Sequence, residues 1–194
     1  MAINTLTDIA NQALMRIGFS AVISDIDTPA SPANKLKVLL EGVISSVQLE
    51  FWWRELLVEV SIPASATVRS DEKLEYYLPS NMLRLKEIAA PSDFFIIGNK
   101  IVTGQIAPLK IIYLKRSENV GEWSEYLKEC VYTMLASKAA KELKNDAQLM
   151  QFFQAEYEQK ILPRAKTAIS KDTNVGKQSA SYQGSWLNSF YASK

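Results

Sequence analysis

Apolar residues in this chain change their spacing in blocks. Near the N-terminus Leu6, Ile9, Ala10, Ala13, Leu14 and Ile17 recur at three and four residues, which places them on one face of a helix running from about Thr5 to Ile17. Thr5 or Thr7 suits its N-cap, Asp8 its first turn, and Gly18 the position just past its end. Turn formers fill residues 19–31. Ser31 followed by Pro32 then predicts an N-cap and first-turn proline for a second helix. That helix carries Leu36, Leu39, Leu40, Val43, Ile44, Val47 and Phe51 as its stripe and ends in the apolar mass of Phe51, Trp52 and Trp53.

The period then drops to two. Val58, Val60 and Ile62 alternate with Glu59 and Ser61, and Leu74, Tyr76 and Leu78 alternate before Pro79. Arg84 to Ile88 and Leu109 to Leu114 read as further strands. Phe94 to Ile97 and Ile101 to Thr103 flank Gly98-Asn99 as a hairpin, although Asn-Gly is the commoner order in such turns. One small antiparallel sheet, curled toward a sandwich, is the expectation.

Helical spacing returns with Trp123, Tyr126, Leu127, Cys130, Val131, Met134 and Leu135. Ala136, Ala139 and Ala140 then permit close approach of another helix. Asn145-Asp146 ends that helix and starts the next, whose stripe is Leu149, Phe152, Phe153, Tyr157 and Ile161. Pro163 predicts a kink or restart there, because it lacks an amide donor. From Asn174 onward there are five serines, two glycines, two lysines and no acidic residue. That composition predicts an extended arm.

The fold class that follows is α+β. An antiparallel α-helical bundle is formed by 1–55 and 117–173, a small antiparallel β-domain is inserted at 56–116, and an extended C-terminal arm spans 174–194.

The formal charge of +1 gives the chain no bulk attraction for polyanions, which weighs against a standalone DNA-binding module. There is no histidine and one cysteine, Cys130, so a histidine-based catalytic triad is excluded and no cofactor or metal site is expected. Cys130 falls on an apolar helix stripe and reads as a core residue. No glycine-rich phosphate loop occurs. Neither a secretory leader nor a run of roughly 18–20 apolar residues is evident, so assembly in a reducing compartment away from membrane is expected.

Carboxylates are the remaining catalytic material. Asp25 with Asp27, and Asp71 with Glu72, fall in loops, where solvation accounts for them. Glu122, Glu125 and Glu129 lie near a helix start, where they offset its dipole. A peptidoglycan hydrolase using two such carboxylates is the alternative function, and it needs a facing pair with a raised pKa.

Two features suit binding. Lys138, Lys141 and Lys144 recur every three residues near a helix end, as a solvated face or as a stripe facing phosphates. In the arm, Tyr182, Trp186 and Phe190 are spaced by four, as are Leu187 and Tyr191. Aromatics on a polar arm suit docking on a partner that orders it.

Four segments taken together resemble a known family. They are "LTDIANQALMRIGFSAVISDIDT", the helix ending in "LEFWWRE", "LPSNMLRLKEI" leading through its hairpin to "LKIIYLKR", and "WSEYLKECVYTMLASKAAKELKND" followed by "FFQAEYEQKILPRAKTA". Their order and spacing over most of residues 4–170 resemble the head-to-tail adaptors of short-tailed bacteriophages, the tail tubular protein A family. The resemblance implies a non-enzymatic virion protein at the head-tail junction, assembled in the host cytoplasm. It implies a ring of twelve copies bound to the portal protein and to a nozzle protein of the tail tubular protein B type, with tail fibres as further partners. Double-stranded DNA would pass through its channel, past Lys138, Lys141 and Lys144. The arm with Tyr182, Trp186, Leu187, Phe190 and Tyr191 would reach the portal. Pro163 departs from the smooth last helix of that pattern.

Overall fold

The computed structural model describes residues 3–20, 22–65, 73–88 and 94–171. It is an α+β structure. Two helices, α1 (Leu6–Arg16) and α2 (Ala33–Glu50), come first. Six strands follow: β1 (Leu57–Ile62), β2 (Leu74–Tyr77), β3 (Met82–Ile88), β4 (Phe94–Ile97), β5 (Lys100–Thr103) and β6 (Leu109–Lys115). The chain returns to helix in α3 (Glu125–Lys144) and α4 (Ala147–Glu156).

Local chemistry fixes the helix ends. The Thr5 hydroxyl accepts from the Asp8 amide while the Asp8 carboxylate accepts from the Thr5 amide, a reciprocal capping box. Gly18 takes φ +77° just beyond α1, a conformation in which any other residue would be strained. Asn145 ends α3 in the left-handed region at φ 52°, and the Asp146 carboxylate then accepts the Leu149 amide to start α4. Ser31 does not cap α2. The N-cap position falls on Pro32, whose side chain has no acceptor to offer.

Helix α3 lies against α1, α2 and α4. Its buried residues include Leu127, Cys130, Thr133, Ala136, Ala139 and Ala140, which at 3.6 residues per turn cover about two thirds of its circumference, while Lys138, Lys141, Glu142 and Lys144 toward its end are exposed. The alanines let neighbouring backbones approach, and a larger side chain there would push them apart.

Two apolar clusters result. The larger takes in the helices together with Trp53, Leu56, Leu114, Val120 and Trp123. The smaller joins Ile62, Leu109, Ile111 and Tyr113 to Tyr76 and Ile101. Strand β6 serves both, sending Leu109, Ile111 and Tyr113 into the smaller cluster and Leu114 into the larger.

The strands form two antiparallel three-stranded sheets, in the orders β1-β6-β3 and β2-β5-β4, rather than one. Each sheet contributes residues to the smaller cluster, which divides a six-strand set into two short faces. The β4–β5 turn is Gly98-Asn99 with φ +57° at Gly98 alone, the signature of a type II′ hairpin. Glycine first is therefore the required order.

One other expectation changes. Phe152 leaves the α4 stripe and is 60% exposed, while Phe153 is buried. At Pro163, where a kink or restart is predicted, the helix is locally altered and runs on. A π-helical turn, Tyr157–Ile161, precedes the proline, and helix continues over 162–171. Widening the spiral to i→i+5 bonds just before a residue that has no amide donor accommodates the proline without breaking the element.

Polar links between elements are few and specific. Arg16 Nη2 donates to both carboxylate oxygens of Glu156, at 3.0 and 2.8 Å, while Nη1 donates to Thr133 Oγ1 at 2.6 Å. The same guanidinium lies 5.2 Å from the centre of the Phe153 ring, so one side chain joins α1, α3 and α4. The Tyr157 hydroxyl donates to Glu50 at 2.8 Å, tying the π turn to the end of α2. Buried Gln48 of α2 donates Nε2–H to the Ser117 carbonyl at 2.7 Å and accepts the Ser117 amide at 3.2 Å.

Replacing Gln48 with Ala or Leu strands both backbone groups of Ser117 in a buried site. We expect a loss of about 1–3 kcal/mol in urea unfolding, without a change in helix content.

Candidate interaction surfaces

Lys138, Lys141 and Lys144 are all exposed on the C-terminal half of α3. The last two occupy its final turn, where an ammonium offsets the partial negative charge of the helix end. Lys144 also rests over the Phe19 ring, 5.8 Å from its centre. Among the described residues none of the three lysines is held in a carboxylate pair, which leaves a cationic strip open to solvent.

Tyr182, Trp186, Leu187, Phe190 and Tyr191 lie outside the described residues, as do Asp71 and Glu72. The described chain ends at Lys171, on the rim of a shallow depression of about 550 Å³ that Tyr126, Pro163 and Arg164 also line. Arg164 pairs there with Glu129.

The remaining candidate carboxylates are each engaged. Asp25 accepts the Asp27 amide at 2.9 Å, and Asp27 pairs with Lys37 at 2.7 Å, both in the exposed connection between α1 and α2. Glu125 pairs with Lys128. Glu122 accepts from Lys115 at 2.6 Å, from Ser117 Oγ and from Asn119 Nδ2. The Lys115 bond is the largest of the causes that hold its carboxyl below the ordinary range. Asp8 is also held low, chiefly by the Asn4 amide. Both shifts run opposite to what a general acid requires. Cys130 is in the core as expected, and burial pushes its thiol up to about 12, so it has little thiolate character near neutral pH.

The structure adds features that residue patterns alone had not singled out. Arg84 of β3 stacks on Trp52 at 3.6 Å and has no carboxylate partner among the described residues. Strand β4 is exposed along its whole length: Phe94 46%, Phe95 37%, Ile96 48% and Ile97 52%. Its sequence carried a signal for this. Four apolar residues without alternation mean a strand with the same environment on both faces, and that environment can be solvent as well as core.

Comparison with models of known protein families finds none that matches the chain, and comparison with curated proteins finds no match.

The lowered carboxyls of Asp8 and Glu122 fix a sign for pH dependence. Each contributes stability that is fully present above its ordinary value near about pH 4, and that is lost as pH falls through its lowered value. The melting temperature should fall on acidification, and the Asp8→Asn, Glu122→Gln double variant should fall less steeply. Neither group is buried, so the difference should be small.

Proposed function

We propose that this chain is a structural virion protein, a head-to-tail adaptor whose copies form a ring between portal and tail nozzle. In this reading 1–55 and 117–173 make an antiparallel helical bundle that forms the ring wall, 56–116 is a β-domain inserted into it, and 174–194 is an arm that anchors the ring to the portal. The observation that carries the reading is the joint order of elements. Two helices, a strand block and two further helices occur in the sequence order of the tail tubular protein A family, and the first and last helices share one core.

Other features are consistent with a mechanical part. The buried volume of the core goes into helix packing, and the weighed carboxylates that fall among the described residues are taken up by cations or backbone amides. The alternative, a peptidoglycan hydrolase, has no paired carboxylates of raised pKa among the described residues to support it.

Closing a ring requires each subunit to present different surfaces to its two neighbours. The exposed strip of Lys138, Lys141 and Lys144 would be repeated in every copy, so a weak attraction for passing DNA is multiplied without base specificity.

Light scattering of the protein mixed with its cognate portal ring tests the proposal. About twelve copies should add to each portal, and failure to associate would sink it. Trp186→Ala with Phe190→Ala should weaken that association at least tenfold, as loss of aromatic anchors does. In the assembled ring, changing Lys138, Lys141 and Lys144 to Ser should make the salt dependence of duplex DNA binding shallower.

A further inference from the structure

Among the described residues strand β4 is an unpaired sheet edge with exposed side chains on both faces. In a two-residue hairpin the residues flanking the turn, Ile97 and Lys100, form the bonded pair, so Phe94 and Ile96 direct their backbone N–H and C=O groups away from β5. Among the described residues no backbone or side-chain group bonds those outward groups. The opposite edge of the same sheet is different, because the Ser65 amide donates to the Glu75 carbonyl of β2 at 2.7 Å. Among the described residues only the β2 edge is capped; β4 itself has no charged residue, although the Lys73 ammonium lies over the Phe95 ring, 5.1 Å from its centre.

The two faces of β4 are uncovered for a definite reason. Phe94 and Ile96 share a face with Tyr76 and Ile101, both in the smaller core, but they overhang its end. Phe95 and Ile97 share the outer face with exposed Tyr77, with the Glu75–Lys100 ion pair and with Val102, which is buried, so the exposed part of that face is its β4 side and turn end. Monomeric proteins usually blunt such an edge with charge, proline or a covering loop.

We propose that β4 pairs antiparallel with β4 of a second copy of this chain, joining two three-stranded sheets into one of six. The register follows from the backbone. Bonded positions must face bonded positions, so Phe94 lies opposite Ile96 of the second copy, Ile96 opposite Phe94, and Phe95 opposite Phe95 across the two-fold axis. Each aromatic then meets a β-branched or aromatic side chain, and no charges on β4 oppose each other. Four backbone hydrogen bonds satisfy groups that a lipid surface would leave unpaired, which favours a strand over a membrane as the occupant.

The contact is small. Strand β4 and Tyr77 expose roughly 450 Å² per copy, against about 800 Å² in a standard interface. The pair is accordingly weak, with Kd on the order of 10–100 µM. It does not rest on the adaptor proposal. A ring with a single rotation axis contains no two-fold contact between neighbours, so the pair belongs to the free chain and is replaced on ring closure.

Sedimentation equilibrium of the full-length protein from about 1 to 300 µM tests the pairing. The mass should rise from one chain to two and stop there. Ile96→Pro removes an outward amide at an edge position that tolerates proline, and it should shift dimerisation at least tenfold to higher concentration. Ile96→Lys should do the same without altering the backbone, and both variants should retain the wild-type far-ultraviolet spectrum. A wild type that stays monomeric overturns the proposal, as do growth beyond two chains, unchanged dimerisation in a folded variant, or flotation with uncharged phosphatidylcholine vesicles in place of dimerisation. Portal binding by the same variants is read separately, so failure of one proposal does not disguise failure of the other.

Discussion

Packing of α3 against three other helices is the constraint from which most of the structure follows. A helix enclosed by α1, α2 and α4 needs small residues where neighbours come closest, and it has Ala136, Ala139 and Ala140 there, all fully buried. It also needs its polar groups met inside the fold. Thr133 receives the Arg16 guanidinium, and the Ser137 hydroxyl donates to the Met150 carbonyl of α4. The neighbours are thus placed by packing and then fixed in rotation by a few directed bonds. Helix α1 is held in this way at its last turn, since moving Arg16 would uncover both Glu156 and Thr133.

The strand block is coupled to this helical core at a narrow junction. Chain segments cross between the two at residues 51–57 and 115–124, and both crossings are clamped. Trp53 is buried and donates its indole N–H to the Val47 carbonyl, which turns the chain back onto α2 before β1 begins. Gln48 meets Ser117 in the manner of one more ladder pair, although it belongs to a helix. The Glu55 carboxylate accepts the Ser124 amide, so the first crossing helps to start α3. A force applied to the strands would reach the helices through these contacts and through Leu114, the β6 residue that sits in the helical core.

Much of this was legible in the residues themselves. The stripe Leu36, Leu40, Val43, Ile44 and Val47 reads as a helix face because one side of α2 is solvent, and the capping signals at Thr5 and Asn145-Asp146 are local chemistry. Periodicity failed where an element has no single polar side. Helix α3 is harder to read than α2, because Lys128, Thr133 and Ser137 are buried beside its apolar residues, and the small Ala136, Ala139 and Ala140 weaken the pattern. Phe152 was misassigned for the converse reason: adjacent aromatics at Phe152 and Phe153 both fit the spacing, and only the position of α3 decides which one is covered. The division of six strands into two sheets depends on which residues meet across the smaller core, and no short-range signal encodes that. Of the candidate surfaces, the lysine strip was legible by spacing, whereas the exposure of β4 is set by where the small core stops.

That end of the small core bears on what the chain can be. Covering Phe94 and Ile96 internally would take only a longer neighbouring strand or a polar residue at one position. The chain instead has a tight type II′ turn, a strand of four large apolar residues, and a capped edge on the opposite side of the same sheet. These choices agree in direction: they leave a short apolar edge that fits another strand. An edge this short gives too little area for a permanent dimer, so the pair stays separable. A weak, open edge therefore suits a protein that must remain separable before it is fixed in a larger structure.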